Sequence, residues 1–476
     1  MKRSIITAAV VVALAATGAN AQFPEDALRF ATPGIGVGAR AIGMGGAYTG
    51  VASDYSALFW NPAGLAQAAY GEFSVGLSYN TNRNTSTFFT SQQDYSSNAT
   101  NLNTLGIVHP LPVRRGSAVL AFGFHRQSSF ANGVSFSGFN GNSSIIQSFA
   151  PDGSFYPSDL ADNIAYQLFL ANLDTVTGRF ISPIRDRLTQ SGKVVEGGGL
   201  NNWSIGGAVD MAKNFSAGLT LTYLAGSYRY DRNYTEEDAR DIYNTFPFDF
   251  ASLVIDDFIE SDIAGWTAKF GVMYREPERF RVGVTVKTPT AFTIRETFGT
   301  TALSRFDNGE IQPSGSPLEL KSTNEYEIRT PWVFGAGISL IIRDLVLSGD
   351  VEFSDWTELE FANANDDVIA NNRDIKTLFR PTANMRAGAE YDVRSIGLRL
   401  RGGFIYNKSP YVGDPSAFDQ KFITGGVGIL VGESTMIDAA YARGWWDTFV
   451  YNYNATSRVN ERLTTNTFMM TLTHRF

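Results

Sequence analysis

The chain has 476 residues, of which 13% are aromatic and 46 are glycine, and it contains no cysteine. Its 39 lysines and arginines and 47 aspartates and glutamates leave a formal net charge of -8. The lack of cysteine excludes a disulfide framework, a thiol nucleophile and a thiolate metal site. The acidic balance argues against a nucleic-acid partner, because binding nucleic acid needs a basic face.

The first 21 residues have the pattern of a secretory signal peptide. Lys2 and Arg3 form a positively charged start, the apolar run IITAAVVVALAA follows, and Ala19 and Ala21 supply the small-x-small cleavage pattern. We therefore predict that residues 1–21 are removed on export and that the mature chain begins at Gln22.

The next segment, residues 22–68, is rich in small residues and lacks the alternation of a strand. Its closely spaced glycines do not make a phosphate-binding loop, because no strand-helix-strand unit surrounds them. Asn61, Pro62 and Ala63 interrupt the small residues. An asparagine before a proline favours an extended or turn conformation, so these three residues also fit a purely local turn.

From residue 70 onwards the sequence alternates between apolar and polar residues. In YGEFSVGLSYN, Phe73, Val75, Leu77 and Tyr79 share one face of a strand, and the same rhythm returns in GWTAKFGVMYR and RSIGLRLRGGFIYN. Alternation alone also fits a soluble β-sandwich. After the signal peptide, no segment has the roughly 18 to 20 uninterrupted apolar residues of a spanning helix.

The spacing of the connectors favours a membrane barrel over a sandwich. Six short connectors, PVRRG, MAKN, REPER, IIRD, DVRS and VGES, alternate with long polar stretches. We predict these stretches to be loops, at residues 81–100, 128–201, 231–262, 295–320, 356–382, 407–420 and 447–462. Tight turns at one end and long loops at the other are typical of outer-membrane barrels. The sequence thus predicts an all-β fold, a transmembrane antiparallel β-barrel of about 14 strands over residues 69–476.

The last segment, TFMMTLTHRF, supports the same fold. Phe468, Met470, Leu472, His474 and Phe476 share one face of a strand that ends the chain. A terminal aromatic residue on an alternating strand resembles the signal by which outer-membrane barrels are recognised by their assembly machinery. Phe476 is therefore our predicted assembly signal.

Two of the predicted loops carry apolar residues at helical spacing, here called the first and second helical stripes. They lie in NIAYQLFLANLDTVTGRF and in FDFASLVIDDFIESD. An apolar helical face in an extracellular loop must be shielded from water. It can pack against the other stripe or the barrel rim, or it can bind an apolar ligand. For the second case, the candidate groove residues are Leu168, Phe169, Leu173, Val254, Ile255 and Phe258.

Charged residues on the polar strand faces are predicted to line the barrel interior, where they solvate the lumen, pair with carboxylates of the N-terminal segment, or bind a ligand carboxylate. These residues are Lys269, Arg275, Arg281, Lys287, Arg399 and Arg401. The three histidines, His109, His125 and His474, have no metal-ligand spacing. A serine activated by His125, as in outer-membrane phospholipases, is the enzymatic alternative. We predict no enzyme, no metal and no cofactor.

The stretch GARAIGMGGAYTGVASDYSALFWNPAGLA, residues 38–66, resembles the N-terminal hatch of the FadL/TodX outer-membrane transporters of hydrophobic compounds. The hatch motif of that family corresponds to Asn61, Pro62 and Ala63. More loosely, the strand count and Phe476 extend the resemblance over the whole chain. It implies a barrel in the outer membrane that is plugged by a hatch at residues 22–68. Long-chain fatty acids or aromatic hydrocarbons would enter it passively from outside and leave sideways through a gap in the wall.

The same motif occurs in a related branch, the PorV-like barrels, which serve protein secretion and surface attachment. A transporter needs an apolar path past the hatch to a wall opening, whereas a secretion scaffold needs exposed loops that hold a protein. A general porin, the third alternative, needs a hatch that leaves the pore open. The implied partners are outer-membrane lipid, a hydrophobic small-molecule ligand and the barrel-assembly machinery, with secretion-system proteins in the PorV-like alternative.

Overall fold

The computed structural model describes residues 23–149, 163–174, 176–245 and 248–476. Over these residues the chain forms a closed antiparallel β-barrel of fourteen strands, so the predicted fold class and strand count are confirmed. The barrel closes where β1 pairs with β14. The strands are β1 Glu72–Phe88, β2 Ser91–Leu111, β3 Ala118–Ser129 with Asn132–Asn140, β4 Leu188–Ala212, β5 Phe215–Glu237, β6 Phe248–Glu276, β7 Phe280–Lys287 with Ala291–Phe306, β8 Leu318–Arg329 with Val333–Ile342, β9 Leu345–Asp355, β10 Pro381–Val393, β11 Leu398–Asn407, β12 Gln420–Val431, β13 Thr435–Tyr451 and β14 Arg458–Arg475.

Helices occur before the first strand and in the loops. They are α1 Pro24–Ala31, α2 Ala39–Gly43, α3 Ala57–Trp60, α4 Ile164–Gln167, α5 Asp366–Ala370 and α6 Asn372–Leu378, with 3-10 turns at Pro62–Gln67, Ile145–Phe149, Trp356–Glu358 and Arg394–Ile396. The short strands Asn172–Asp174 and Arg179–Ile181 pair with each other, whereas Asn244–Thr245, Ile311–Gln312 and Glu360–Ala362 pair with β6, β7 and β8 respectively. Among the described residues, none of the helices combines the length and the apolar character needed to cross a bilayer.

The two-residue period of the strands decides which side chains face outward. Leu77 in β1, Phe270 in β6 and Phe404 in β11 are between 42% and 51% exposed, although all three are large and apolar. The alternate positions carry small or polar side chains that are buried inside the barrel, such as Thr267 and Ser339. An apolar outer belt around a polar interior is the arrangement of a barrel surrounded by lipid.

The six short connectors are confirmed as turns at one end of the barrel. The turn between β4 and β5 has two residues, Lys213 and Asn214, and the turn between β8 and β9 has Arg343 and Asp344. Asn214 and Arg343 adopt positive φ angles of 68° and 56°, as tight hairpin turns require. Both ends of the barrel-forming chain lie at this end, because β1 and β14 begin and finish there.

The predicted long loop at residues 81–100 is wrong. β1 and β2 instead continue as a hairpin and meet in a turn of Phe89 and Thr90. Polar side chains on both faces mark the height at which a strand leaves the lipid, and the strand itself continues into water. For the same reason most of the predicted loops at 231–262 and 295–320 are strand.

Both predicted helical stripes are also wrong. FDFASLVIDDFIESD lies in β6, so Ile255 points to the buried side and its neighbour Val254 to the other face. In the first stripe α4 ends at Gln167, and Phe169 follows with a positive φ of 58°. Runs with apolar residues on both faces fit helical and strand spacing equally well, and pairing with β5 and β7 selects the strand for the second stripe.

Three strands are interrupted at mid-height. β3 breaks at Phe130 and Ala131, β7 at residues 288–290 and β8 at residues 330–332. The last two breaks contain Pro289 and Pro331, which have no N–H for the ladder.

The N-terminal residues 23–68, here called the hatch, lie inside the barrel. The Ala39 amide donates a hydrogen bond to Thr471 Oγ1 on β14, at 3.1 Å, and Ser339 Oγ on β8 donates to the Gly50 carbonyl oxygen, also at 3.1 Å. β8 and β14 lie on different sides of the barrel, so the hatch spans the lumen near the short turns. The predicted plug is confirmed as part of the fold.

Glycines in the wall let the hatch main chain approach the strand main chain. A Cβ atom at Gly403 on β11 would overlap the Gly45 amide, and one at Gly388 on β10 would overlap the Met44 carbonyl. Gly45 itself has a φ of 64°, and a Cβ there would lie 2.6 Å from the Ala387 carbonyl oxygen. Contact between two main chains leaves no room for a side chain at these positions.

Replacing Gly403 by valine is therefore expected to displace the hatch while the barrel still folds. The neighbouring Gly402→Val is the matched control, because its nearest atom beyond the local chain is 3.9 Å away. Heat-modifiable migration on gels reports the barrel, and trypsin cleavage after Arg40 reports the hatch. We expect cleavage at least fivefold faster in Gly403→Val than in Gly402→Val, and equal rates would contradict the packing described above.

Candidate functional site

The motif Asn61-Pro62-Ala63 connects a local turn to the barrel wall. Asn61 Nδ2 donates to the Thr49 carbonyl oxygen at 3.0 Å and to that of Val272 on β6 at 3.3 Å. Its Oδ1 accepts from the Ala63 amide at 3.1 Å, which caps the 3-10 turn that begins at Pro62. The side chain is completely buried. One residue thus forms both the local turn and a contact with the wall.

A carboxylate of the wall holds the middle of the hatch. Asp350 on β9 accepts two hydrogen bonds at Oδ2, from the amides of Tyr48 at 2.8 Å and Thr49 at 2.7 Å. Two successive N–H groups that point at one oxygen form a small anion-binding turn. This contact satisfies main-chain groups that would otherwise be buried without partners.

A second anchor is a network of alternating charges. Arg40 of the hatch makes a bidentate contact with Glu390 on β10, with N–O distances of 2.9 and 2.7 Å. Glu390 also accepts from Arg401 on β11 at 2.7 Å, and Arg401 lies 2.7 Å from Asp438 on β13. Two arginines and two carboxylates therefore balance each other. Arg401 pairs with wall carboxylates, so the prediction that it pairs with a carboxylate of the N-terminal segment is wrong.

Helix α1 lies higher in the lumen than the rest of the hatch. The Phe30 ring packs edge-on against Phe130 and Tyr228, with centroid distances of 5.8 and 5.6 Å. The helix is capped by Asp26, whose Oδ2 accepts from the Phe23 amide at 2.9 Å. Burial raises the pKa of the Glu25 carboxyl from 4.5 to about 7.

A cavity of about 260 Å³ separates α1 from the lower hatch. Its floor includes Leu58 and Phe59, and its roof includes Leu28 and Ala31 of α1. The side walls mix polar, charged and aromatic side chains, which include His125, Gln127, Asn202, Thr222, Thr267, Lys269, Lys287, Glu352, Arg386 and Trp446 from eight strands and Trp356, Tyr411 and Phe418 from two loops.

His125 belongs to a hydrogen-bonded row of amides on this wall. Its Nε2 lies 2.9 Å from Asn202 Nδ2, which also donates to Gln127 Oε1 at 3.0 Å. The ring packs edge-on against Phe59, with centroids 5.4 Å apart. The hydrogen-bond partner of His125 is thus an amide, and the arrangement is not that of a serine activated by a histidine.

The wall beside this row has a gap in its ladder. β2 and β3 pair from Leu111 opposite Ala118 up to Thr104 opposite His125, and among the described residues the ladder between them stops there. Above that height β3 is held by side chains of the hairpin, since Asn82 Nδ2 donates to the Ala131 carbonyl oxygen at 2.6 Å and Asn84 Nδ2 to that of Gly133 at 2.9 Å.

The hatch segment after α1 lies against the inner side of this gap. The Gly34 amide donates to the Gln127 carbonyl oxygen at 2.9 Å, and Thr32, Pro33 and Gly34 all line the cavity. The cavity therefore reaches the height at which the described ladder between β2 and β3 has ended.

The predicted groove residues separate into two groups. Leu168 and Ile255 belong to one buried cluster under the long loops, and Ser304 Oγ on β7 donates to the Leu168 carbonyl oxygen at 2.8 Å. Phe169 is 70% exposed, whereas Leu173, Val254 and Phe258 are partly exposed outside this cluster. The six side chains do not form one groove, and a role for any of them in ligand binding stays a prediction.

The remaining predicted residues lie at the chain ends. The Phe476 amide donates to the Gly71 carbonyl oxygen at 2.9 Å, and its side chain is 61% exposed. This position fits a signal read during assembly, and that role stays a prediction. Ala19 and Ala21 lie outside the described residues.

Sequence reasoning found two of the charged residues around the cavity, Lys269 and Lys287, but missed Glu352 and Arg386. A signal for all four was present, because each lies eight residues from its nearest short turn, at residues 277, 279, 344 and 394 respectively. Strands that start at the same edge reach the same height after the same number of residues. Counting from the turns would have placed the four charges in one ring.

Comparison with solved structures finds the same architecture in known transporters. The toluene transporter TodX of Pseudomonas putida aligns with a TM-score of 0.57 and 13% identity over 93% of this chain and 99% of that chain. A Pseudomonas aeruginosa FadL homologue aligns with a TM-score of 0.57 and 14% identity over 96% and 100%. The chain has the FadL/TodX transporter fold. The Ralstonia pickettii toluene transporter TbuX shares this FadL-type fold, with a TM-score of 0.51 and 15% identity over 93% and 99%. No protein-family model and no curated protein sequence matches the chain.

Asn61→Ala is expected to loosen the hatch of this FadL-type barrel. Two carbonyl groups and one amide lose their partner, at a cost of about 1–3 kcal/mol, and each 1.4 kcal/mol increases the open population about tenfold. Trypsin cleavage after Arg40 measures that population. Asn308→Ala, in the exposed loop between β7 and β8, is the control. Unchanged cleavage in Asn61→Ala would show that the motif does not hold the hatch.

The seating of α1 is expected to depend on pH through Glu25. The folded pKa of about 7 lies above the ordinary value of 4.5, so folding favours the neutral carboxyl. This stabilisation is complete below about pH 4.5 and is lost as the pH rises through 7. Hydrogen exchange of the α1 amides, corrected for intrinsic rates, should therefore show more protection at pH 6 than at pH 8. Glu25→Gln should abolish the difference, Glu278→Gln in an exposed turn should retain it, and a difference that persists in Glu25→Gln argues against this origin.

Proposed function

We propose that the protein is an outer-membrane transporter through which small compounds with a hydrophobic body pass passively. The observation that carries this proposal is the position of the cavity, which extends from α1 to the unpaired wall between β2 and β3. The toluene transporters and the FadL homologue with the same fold support the proposal by analogy.

Access to the cavity is from the side of the long loops. The lining extends upward to Asp414 and Phe418 in the loop between β11 and β12, and to Asp447 and Thr448 on β13. Elsewhere the loops pack over the barrel in a buried apolar cluster that contains α4 and Ile145–Phe149. A compound from outside therefore enters past the loop between β11 and β12.

The exit is sideways. Below the cavity the hatch packs main chain to main chain against the wall, so a straight path towards the short turns would require the hatch to leave. Between β2 and β3, in contrast, side chains hold the wall, and such contacts open without breaking a ladder. A hydrophobic compound that leaves there reaches the lipid directly.

Cross-linking across the gap tests this route. The Ser97 hydroxyl of β2 lies 3.3 Å from the Ala131 carbonyl oxygen of β3. Cysteines at these two positions would be the only ones in the chain, because the protein contains none. Uptake of radiolabelled palmitate and toluene is measured in cells with the wild type, Ser97→Cys alone or the double variant. We expect oxidation to reduce protein-dependent uptake at least fivefold in the double variant only, and reduction to restore it.

Two other outcomes decide against parts of the proposal. Equal uptake by the oxidised and reduced double variant, with the cross-link verified on gels, would place the exit elsewhere. If wild-type cells take up neither compound better than cells without the protein, transport is contradicted. The PorV-like alternative would then be favoured, and proteins bound to the loops would be sought.

A further inference from the structure

Positive charge is in excess at the lower side of the cavity. Lys269 on β6 and Lys287 on β7 occupy directly opposite positions in the ladder, and Arg386 on β10 faces the same space. Like charges at directly opposed positions destabilise a sheet. Glu352 on β9 is the carboxylate that acts electrostatically on both lysines.

Glu352 is already engaged by another cation. Its Oε1 lies 3.3 Å from Arg386 Nη2, in an ion pair whose two side chains are 24% and 12% exposed. The Arg386 guanidinium also lies 5.5 Å from the centre of the Trp60 ring of the hatch. Arg386 therefore fixes the position of the Glu352 carboxylate, and the two lysines interact with that carboxylate only at longer range.

The two lysines differ in their remaining partners. Lys269 Nζ donates to the Phe59 carbonyl oxygen and lies 5.0 Å from the centre of the Phe59 ring. Lys287 lines the cavity, and within the described ranges its ammonium group has neither a hydrogen bond nor an ion pair. A half-buried ammonium group without a partner is unfavourable, and a negatively charged group in the cavity would relieve the cost.

The cavity also limits the size and shape of its occupant. An apolar cavity of about 150 Å³ accommodates benzene, so about 260 Å³ suits one or two aromatic rings better than a long extended chain. The lining provides aromatic surface at the side of the long loops, from Trp356, Tyr411, Phe418 and Trp446. Lys269 and Lys287 lie at the opposite, lower side, so aromatic side chains and ammonium groups line different ends of the space.

We propose that the cavity binds aromatic acids of one or two rings, with the carboxylate against Lys287 and the ring against the aromatic side chains. This inference rests on the proposed function, because it names the class of compound that occupies the transport cavity. Lys287 is then the residue that distinguishes an acid from a neutral compound of the same shape.

Binding of two matched probes tests the assignment. The purified protein in amphipol is titrated by calorimetry with 2-naphthoate and with the neutral 2-naphthalenemethanol at pH 7.5. We expect the wild type to bind the acid at least tenfold more tightly than the alcohol. Lys287→Met should remove that preference, Lys287→Arg should retain most of it, and Lys213→Met, in an exposed turn, should not change it.

The remaining outcomes overturn the inference. Equal affinity of the wild type for the two probes contradicts an anion site, and so does a loss in Lys287→Met that is the same for both probes. Heat-modifiable migration verifies that each variant is folded. If Lys287→Met is not folded, the comparison of Lys287→Arg with the wild type still tests the site. If the wild type binds neither probe but toluene uptake still depends on the protein, the ligand class is wrong and the transport proposal stands. If that uptake is absent as well, both fail.

Discussion

The width of a fourteen-stranded barrel is the constraint on which the rest of the structure depends. Eight strands enclose a space that their own side chains fill, and sixteen leave an aqueous channel. Fourteen leave a lumen that needs another part of the chain to occupy it. The hatch does so with small residues, and the wall meets it with glycines such as Gly388 and Gly403, so that main chain packs on main chain. Where main chain packs on main chain, the buried main-chain groups of the hatch need polar partners in the wall, and Asp350 and Thr471 provide them.

Charge inside the lumen is distributed in two different ways. Near the short turns, Arg40 and Arg401 are matched by Glu390 and Asp438, which is a complete structural unit. At the lower side of the cavity, Lys269, Lys287 and Arg386 surround one carboxylate, Glu352. These four side chains line the cavity of about 260 Å³.

The sequence was sufficient for the barrel because the strand period and the asymmetry of the connectors are properties of short segments. The strand count and the six turns followed from them. Loop lengths did not, because residues 81–100 are polar on both faces in water whether or not they are paired. The second helical stripe failed for a related reason, since β6 carries apolar residues on both faces where the loops pack against its inner side. The cavity could not be predicted from spacing alone, because it depends on how high α1 lies in the lumen, and packing against Phe130 and Tyr228 determines that height.

The three interrupted strands are not equivalent, and their hydrogen bonds explain why we propose the gap beside β3 as the exit. In β7 and β8 the threonines around the prolines replace the lost ladder bonds. The Thr330 amide donates to the Thr290 carbonyl oxygen at 3.0 Å, the Thr290 amide donates to Thr330 Oγ1 at 2.8 Å, and the wall there stays joined. Above His125, the carbonyl groups of β3 are held by side chains of the hairpin, from Ser97 on β2 and from Asn82 and Asn84 on β1. A side-chain amide can rotate away while the main chains on both sides stay in place. The wall can thus open at β3 at the cost of a few side-chain contacts, whereas an opening between β7 and β8 would break the main-chain bonds that close the barrel.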